Sequence, residues 1–150
     1  SHLYYGAKKV FWYEMADEPF GPNNPESFFG ILRFNESLSV KPSAVAFSNM
    51  VNNYRHAIPV GKYVGQSYGF AYDNQGKNQL CLWTEKDSKE ETLYLPNTKK
   101  VNVIDIFGRV QQLKVLNGKV VITIGYLPIT ITGFDQDDFT GLYTPRKVVK

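Results

Sequence analysis

The strongest constraint in this chain is a change of pattern near residue 58. From Tyr63 onward the sequence is a series of short period-2 segments stopped by turn residues. A period of two sends alternate side chains to opposite faces of a strand. Residues 64–72 alternate loosely and end at Asp73-Asn74-Gln75-Gly76, a hairpin turn signature. Residues 79–85 and 91–95 predict two more strands, the second stopped by Pro96-Asn97. Residues 100–107 follow, with Val101, Val103 and Ile106, and end at Gly108. Residues 109–116 and 119–124 flank Asn117-Gly118, the dipeptide of a type I′ hairpin, and are predicted to pair with each other. Residues 128–133 add an apolar run, and 147–149 read as a late edge strand in an otherwise polar tail. Short strands at intervals of about 8–12 residues predict an antiparallel β-sandwich.

The first 57 residues read differently. Val10 to Tyr13 is apolar without alternation, which predicts a strand over 9–14 covered on both faces, as in parallel sheets. Residues 17–27 hold three prolines, a glycine and two asparagines, and form a loop. A helix is predicted to open near Pro42, with Ser39 as N-cap and Pro42 in the first turn. Val45 or Ala46, Phe47, Met50, Val51 and Tyr54 give it one apolar face, and Pro59 and Gly61 are expected to close the segment. By strand parity Trp12 and Glu14 share one side, while Phe11 and Tyr13 are expected to pack under Phe47, Met50 and Tyr54. One strand, one loop and one helix cannot bury their own apolar faces. Residues 1–57 are therefore expected to be the end of a larger α/β unit or a cap, and 58–150 the sandwich.

Several classes of function are excluded. The net charge is only +3 with no basic run, so nucleic acid is not an expected partner. No apolar stretch approaches the ~20 residues of a membrane span. The single cysteine, Cys81, excludes an internal disulfide and a cysteine-based zinc site, and its apolar flanks predict a buried thiol. His2 and His56 lack ligand partners at metal spacing, and no phosphate-binding glycine loop or nucleophile elbow is present, so no metal or cofactor is expected. Asp135, Asp137 and Asp138 read as a solvated turn, without the glycine and terminal glutamate of a calcium loop. Aromatic residues reach 15%, which suits strands and carbohydrate surfaces. Trp83 is expected in the sandwich core. Tyr68, Phe70 and Tyr72 share one face, expected to be core or a domain interface.

The order of motifs adds a resemblance. Val10-Phe11-Trp12-Tyr13-Glu14, an acidic Pro-rich loop, Phe29-Gly30-Ile31-Leu32-Arg33 and Lys41-Pro42-Ser43-Ala44 together resemble the end of a (β/α)8-barrel glycoside hydrolase. The retaining clan that includes β-xylosidases, cellulases and β-glucosidases is the one resembled. In that family the eighth strand carries a Trp at the barrel mouth, and a C-terminal antiparallel β-sandwich often follows. Asp105-Ile106-Phe107-Gly108-Arg109 resembles a hairpin of those sandwiches. The resemblance runs from residue 8 to about 132. It implies a mainly β fold, an antiparallel β-sandwich preceded by a strand–loop–helix remnant of a (β/α)8 barrel. It implies Trp12 as a stacking platform under a sugar ring and Glu14 as an acceptor for sugar hydroxyls.

A complete barrel takes ~250 residues, more than this chain holds. The family's acid/base and nucleophile lie upstream of the motifs present, so no catalytic residue is expected here and the chain alone is expected to be inactive. Glu14 with Asp17 or Glu18 is the tempting pair for the ~5–5.5 Å carboxylate separation of retaining hydrolysis, but their spacing does not support it. The implied partners are an oligo- or polysaccharide and the remainder of the barrel, as a separate chain or an upstream segment. The alternative is a non-catalytic carbohydrate-binding or structural sandwich, whose exposed row would draw on Tyr63, Tyr68, Tyr72 or Trp83.

Overall fold

A computed structural model describes residues 4–7, 9, 11–19, 21, 23–35 and 37–147. Alternation in the second half becomes burial. Along β7 (Lys119–Ile124), Val120, Ile122 and Ile124 are buried, while Lys119, Val121 and Thr123 face solvent. β7 pairs antiparallel with β4 (Lys89–Tyr94), whose Leu93 points the same way. Opposite them stands a wider sheet. It contains β1 (Ala57–Tyr63), β2 (Tyr68–Asn74), β3 (Lys77–Trp83), β5 (Lys100–Ile104), β6 (Val110–Lys114), β8 (Ile129–Thr132) and β9 (Tyr143–Pro145). Its seven strands run in the order β6-β5-β8-β3-β2-β1-β9. Ala71, Leu80, Leu82, Val101 and Ile131 of this sheet close on β4 and β7 in one core. The fold is mainly β, with antiparallel sheets arranged as a β-sandwich, as the patterning predicts.

The turn chemistry is as read, but one pairing is not. Gln75 and Gly76 adopt φ of 55° and 80° between β2 and β3, and the Gly76 amide donates to Asp73 Oδ1 at 2.7 Å. Asn117 and Gly118 likewise take φ of 51° and 70°. Beyond the Leu116–Lys119 bridge, however, β6 pairs with β5 and β7 with β4. The tight turn passes the chain from one sheet to the other. The reason is burial: β7 carries three inward apolar side chains and fills the narrow wall, whereas β6 is largely exposed and forms an edge.

Other corrections follow from tertiary contacts. Helix α1 (Pro42–Tyr54) is present with Pro42 at its start, but its N-cap is Lys41. Ser39 Oγ instead accepts from Asn35 Nδ2 at 2.7 Å. Pro59 and Gly61 lie inside β1 and do not close the helical segment. A register shift between them fits Pro59, which has no amide to donate. A Cβ on Gly61 would collide with the Tyr143 ring of β9. The described residues of 9–14 form no strand. A parallel strand needs a continuous ladder, and the backbone bond from the Ile31 amide to Glu14 O falls only at the end of this stretch.

The acidic cluster is also more than a solvated turn. Asp135 caps α2 (Gln136–Thr140), accepting from the Asp137 amide at 2.9 Å. Phe139, 1% exposed, plugs the end of the core between Phe134 and Tyr143. Asp138 is buried and accepts from the Asn97 amide (3.0 Å), Asn97 Nδ2 (3.0 Å), the Thr98 amide (2.7 Å) and Thr98 Oγ (2.7 Å). An edge strand forms instead at Tyr143–Pro145, along β1, and Lys147 lies in no strand. Val148 and Val149 lie outside the described residues.

A second buried carboxylate joins the two sheets. Glu91 of β4 accepts from Ser67 Oγ (2.7 Å), the Gln66 amide (3.0 Å) and Tyr63 Oη (3.0 Å). Burial pushes its carboxyl up, but Ser67, Gln66, Tyr63 and Lys89 together hold it below the ordinary glutamate range. A carboxyl depressed in the folded state stabilises above its unfolded value and loses that effect as pH falls through the folded one. Acid unfolding followed by circular dichroism should therefore show stability declining below about pH 4.3, with a shallower decline in Glu91→Gln. Asp138→Ala is expected to cost about 2–3 kcal/mol in urea unfolding, because four donors lose one charged acceptor.

Candidate functional site

The site is built by three short segments that clasp one another ahead of α1. The Ile31 amide donates to Glu14 O (3.3 Å), Leu32 to Met15 O (3.0 Å), and Asp17 to Leu32 O (2.9 Å). The Lys41 amide then donates to Ile31 O (3.1 Å) and Arg33 to Ser39 O (2.8 Å). Gly30 is required at the crossing, since a Cβ there would overlap the backbone of Ala16 and Asp17. An ion pair locks the clasp: Lys41 Nζ lies 2.7 Å from Asp17 Oδ1 and donates to Phe28 O at 2.9 Å. Both side chains are largely buried. Sequence reading missed this pair; its signal was a lysine at the helix start and an acid opening the Pro-rich loop.

Trp12 stands beside this clasp. Its indole Nε1 donates to Phe29 O at 3.2 Å, and its ring meets Phe47 of α1 edge-on at 6.0 Å. It remains 52% exposed, so much of the ring surface is open. Glu14 is half-buried next to it. The expected parity is not kept: Trp12 meets Phe47 of the helix, while Phe11 and Tyr13 are 85% and 66% exposed. Outside a strand nothing enforces alternation. Met15, Phe28, Phe29 and Phe34 of the same segments are exposed as well. Asp17 is committed to Lys41, so it stands as an anchor and not as a free partner for Glu14.

Helix α1 joins this segment to the sandwich through polar contacts. Asn49 Nδ2 donates to Asp105 O (3.1 Å) and Ile106 O (3.3 Å) in the β5–β6 turn. That turn is organised by Asp105, whose Oδ1 accepts from the Phe107 and Arg109 amides at 2.9 and 3.0 Å. Asn74 Nδ2 donates to Asn53 O at 2.7 Å. Tyr54 Oη and Thr130 Oγ lie 2.6 Å apart, and the Tyr54 and Tyr72 rings meet edge-on at 5.1 Å. Burial pushes the Tyr54 phenol well above its usual value. Cys81 sits on this outer face of β3, partly exposed, and burial pushes its thiol up. No residue of α1 is fully buried; Val45, Met50 and Val51 remain exposed.

The aromatic row divides by face. Tyr63 points into the core and Tyr72 is buried under α1. Tyr68 stacks on Trp83 at 6.0 Å on the outer face, with Tyr68 46% exposed and Trp83 half-buried. Trp83 is therefore outside the core, because its odd position in β3 is opposite in direction to Leu80 and Leu82.

Comparison with known proteins gives a likeness among solved structures. No protein-family model matches the chain, and no curated protein matches it. Among solved structures it is similar to a family 39 glycoside hydrolase from the gut symbiont Bacteroides cellulosilyticus WH2. The TM-score is 0.71 at 26% identity, over 83% of this chain and 26% of that chain. The chain thus spans about a quarter of the length of the structure it matches. The likeness supports a glycoside hydrolase relationship.

The clasp is testable apart from any activity. Gly30→Ala is expected to abolish hydrogen-exchange protection at the Ile31 and Leu32 amides while β2 and β3 keep theirs. Retained protection at both amides would mean that the crossing has room for a side chain at Gly30.

Proposed function

We propose that this chain is the C-terminal portion of a glycoside hydrolase acting on β-linked saccharides. Residues 1–57 are, on this reading, the last strand, loop and helix of a (β/α)8 barrel, and 58–150 the sandwich that buttresses it. The likeness to a family 39 glycoside hydrolase over 83% of the chain carries the proposal. The uncovered apolar surface of Phe11, Trp12, Met15, Phe28, Val45 and Met50 supports it, since such a surface suits burial against further β/α units.

Trp12 supplies a ring on which the C–H face of a pyranose packs, and Glu14 accepts hydrogen bonds from sugar hydroxyls. Retaining hydrolysis needs two carboxylates about 5–5.5 Å apart. With Asp17 held by Lys41, the acid/base and the nucleophile come from elsewhere in the enzyme. The chain contributes substrate contacts and support, and its partner is the rest of the barrel.

Two measurements test this. The isolated chain is expected to leave aryl β-glycosides intact. In the enzyme containing the barrel, Trp12→Ala is expected to lower kcat/KM about tenfold or more, from the loss of one aromatic contact. Unchanged kinetics would remove Trp12 from the site. A second reading, saccharide binding without catalysis, is favoured by the exposed Tyr68–Trp83 stack.

A further inference from the structure

The outer face of the wide sheet carries a second feature, distant in sequence from Trp12. Register places Lys62 of β1 between Phe70 of β2 and Thr144 of β9, so the three share that face. Tyr4 stacks on Phe70 with ring centroids 4.5 Å apart, and Tyr5 meets both rings edge-on. The Arg146 guanidinium lies 5.6 Å above the Tyr4 ring. Tyr4, Tyr5, Lys62, Thr144, Arg146 and Lys147 line an open groove of about 800 Å³, within the size of small-ligand sites. Phe70 also touches Trp83, on which Tyr68 stacks, so the aromatic surface continues beyond the groove.

Two properties of the groove point to one ligand chemistry. Lys62, Arg146 and Lys147 are all cationic, and none joins an ion pair among the described residues. Arginine and lysine side chains left without carboxylates are suited to receive one, arginine with two parallel hydrogen bonds. Tyr5 is 74% exposed and offers a phenol ring beside these cations. Rings receive the C–H face of a pyranose, while the cations receive an anionic substituent on it.

We propose that this groove is a subsite for an acidic saccharide, a β-linked oligosaccharide carrying a uronate. The uronate carboxylate pairs with Arg146 and Lys62, and a sugar ring lies against Tyr5. The proposal rests on the saccharide reading above but uses none of the residues around Trp12.

Calorimetric titration of the 150-residue chain tests it. The probes are a β-linked oligosaccharide bearing one glucuronate, the same oligosaccharide without it, and inorganic phosphate. The uronate form is expected to bind about tenfold tighter than the neutral one, and its affinity to fall as salt rises. Arg146→Gln and Lys62→Gln are each expected to erase most of that preference, with circular dichroism unchanged because Lys62 is exposed and Arg146 is not in the core. Tyr5→Ala is expected to weaken both oligosaccharides. Equal affinity for the charged and neutral oligosaccharides would overturn the proposal, and so would phosphate binding as tightly as the uronate form. Trp12→Ala should leave this binding intact. Loss of hydrolysis in that variant of the complete enzyme, with groove binding preserved, separates the two sites; groove binding lost with Trp12 would overturn their independence.

Discussion

A two-stranded sheet cannot stand alone in water, and β4 with β7 is such a sheet. It persists because Leu93, Val120, Ile122 and Ile124 all face the wide sheet, and none is more than 5% exposed. Removing such side chains from water supplies the main favourable term in folding. The narrow wall must therefore be filled by segments brought from different parts of the chain. This forces a crossing between sheets at Asn117-Gly118, where the Leu95 amide donates to Gly118 O at 2.7 Å. Asp138 secures the neighbouring corner by accepting from Asn97 and Thr98, and Phe139 closes the core beside it. Glu91 performs a similar task near β1, with Tyr63 reaching across from the wide sheet.

The outer face follows a different logic. Helix α1 is attached by amide groups and hydroxyls, Asn49, Asn74, Tyr54 and Thr130, rather than by a continuous apolar seam. Such contacts set position while covering little area. They leave Val45, Met50 and Val51 available, together with the aromatic surface around Trp12. A helix with apolar residues exposed beside an irregular segment of the same character offers a surface suited to burial against further structure. The likeness to part of a family 39 glycoside hydrolase agrees with that physical picture.

Much of the strand pattern was legible in the sequence because each cue was local. Asp73-Asn74-Gln75-Gly76 is a turn wherever it sits, since Gly76 bears a positive φ and Asp73 can accept its amide. Leu80, Leu82, Val120 and Ile122 announced their faces by alternation. What failed was every inference that required knowing a neighbour. Asn117-Gly118 fixed a reversal but not the sheet each arm would join. Asp138 looked solvated because Asn97 and Thr98 are 41 and 40 residues away. Trp12 and Glu14 were legible as residues of interest; their surroundings, including Phe47 and the Lys41–Asp17 pair, were not.

By itself the sequence determined the β character, the turn positions, the helix beginning at Pro42 and the apolar faces, because these depend on backbone preference and side-chain periodicity within a few residues. Only the tertiary structure decided which strands share a sheet and which carboxylates are buried. It alone gathered Tyr4, Lys62 and Arg146 around one groove. Those outcomes depend on groups far apart in the chain competing for the same buried space and hydrogen-bond partners, and local pattern carries no record of that competition.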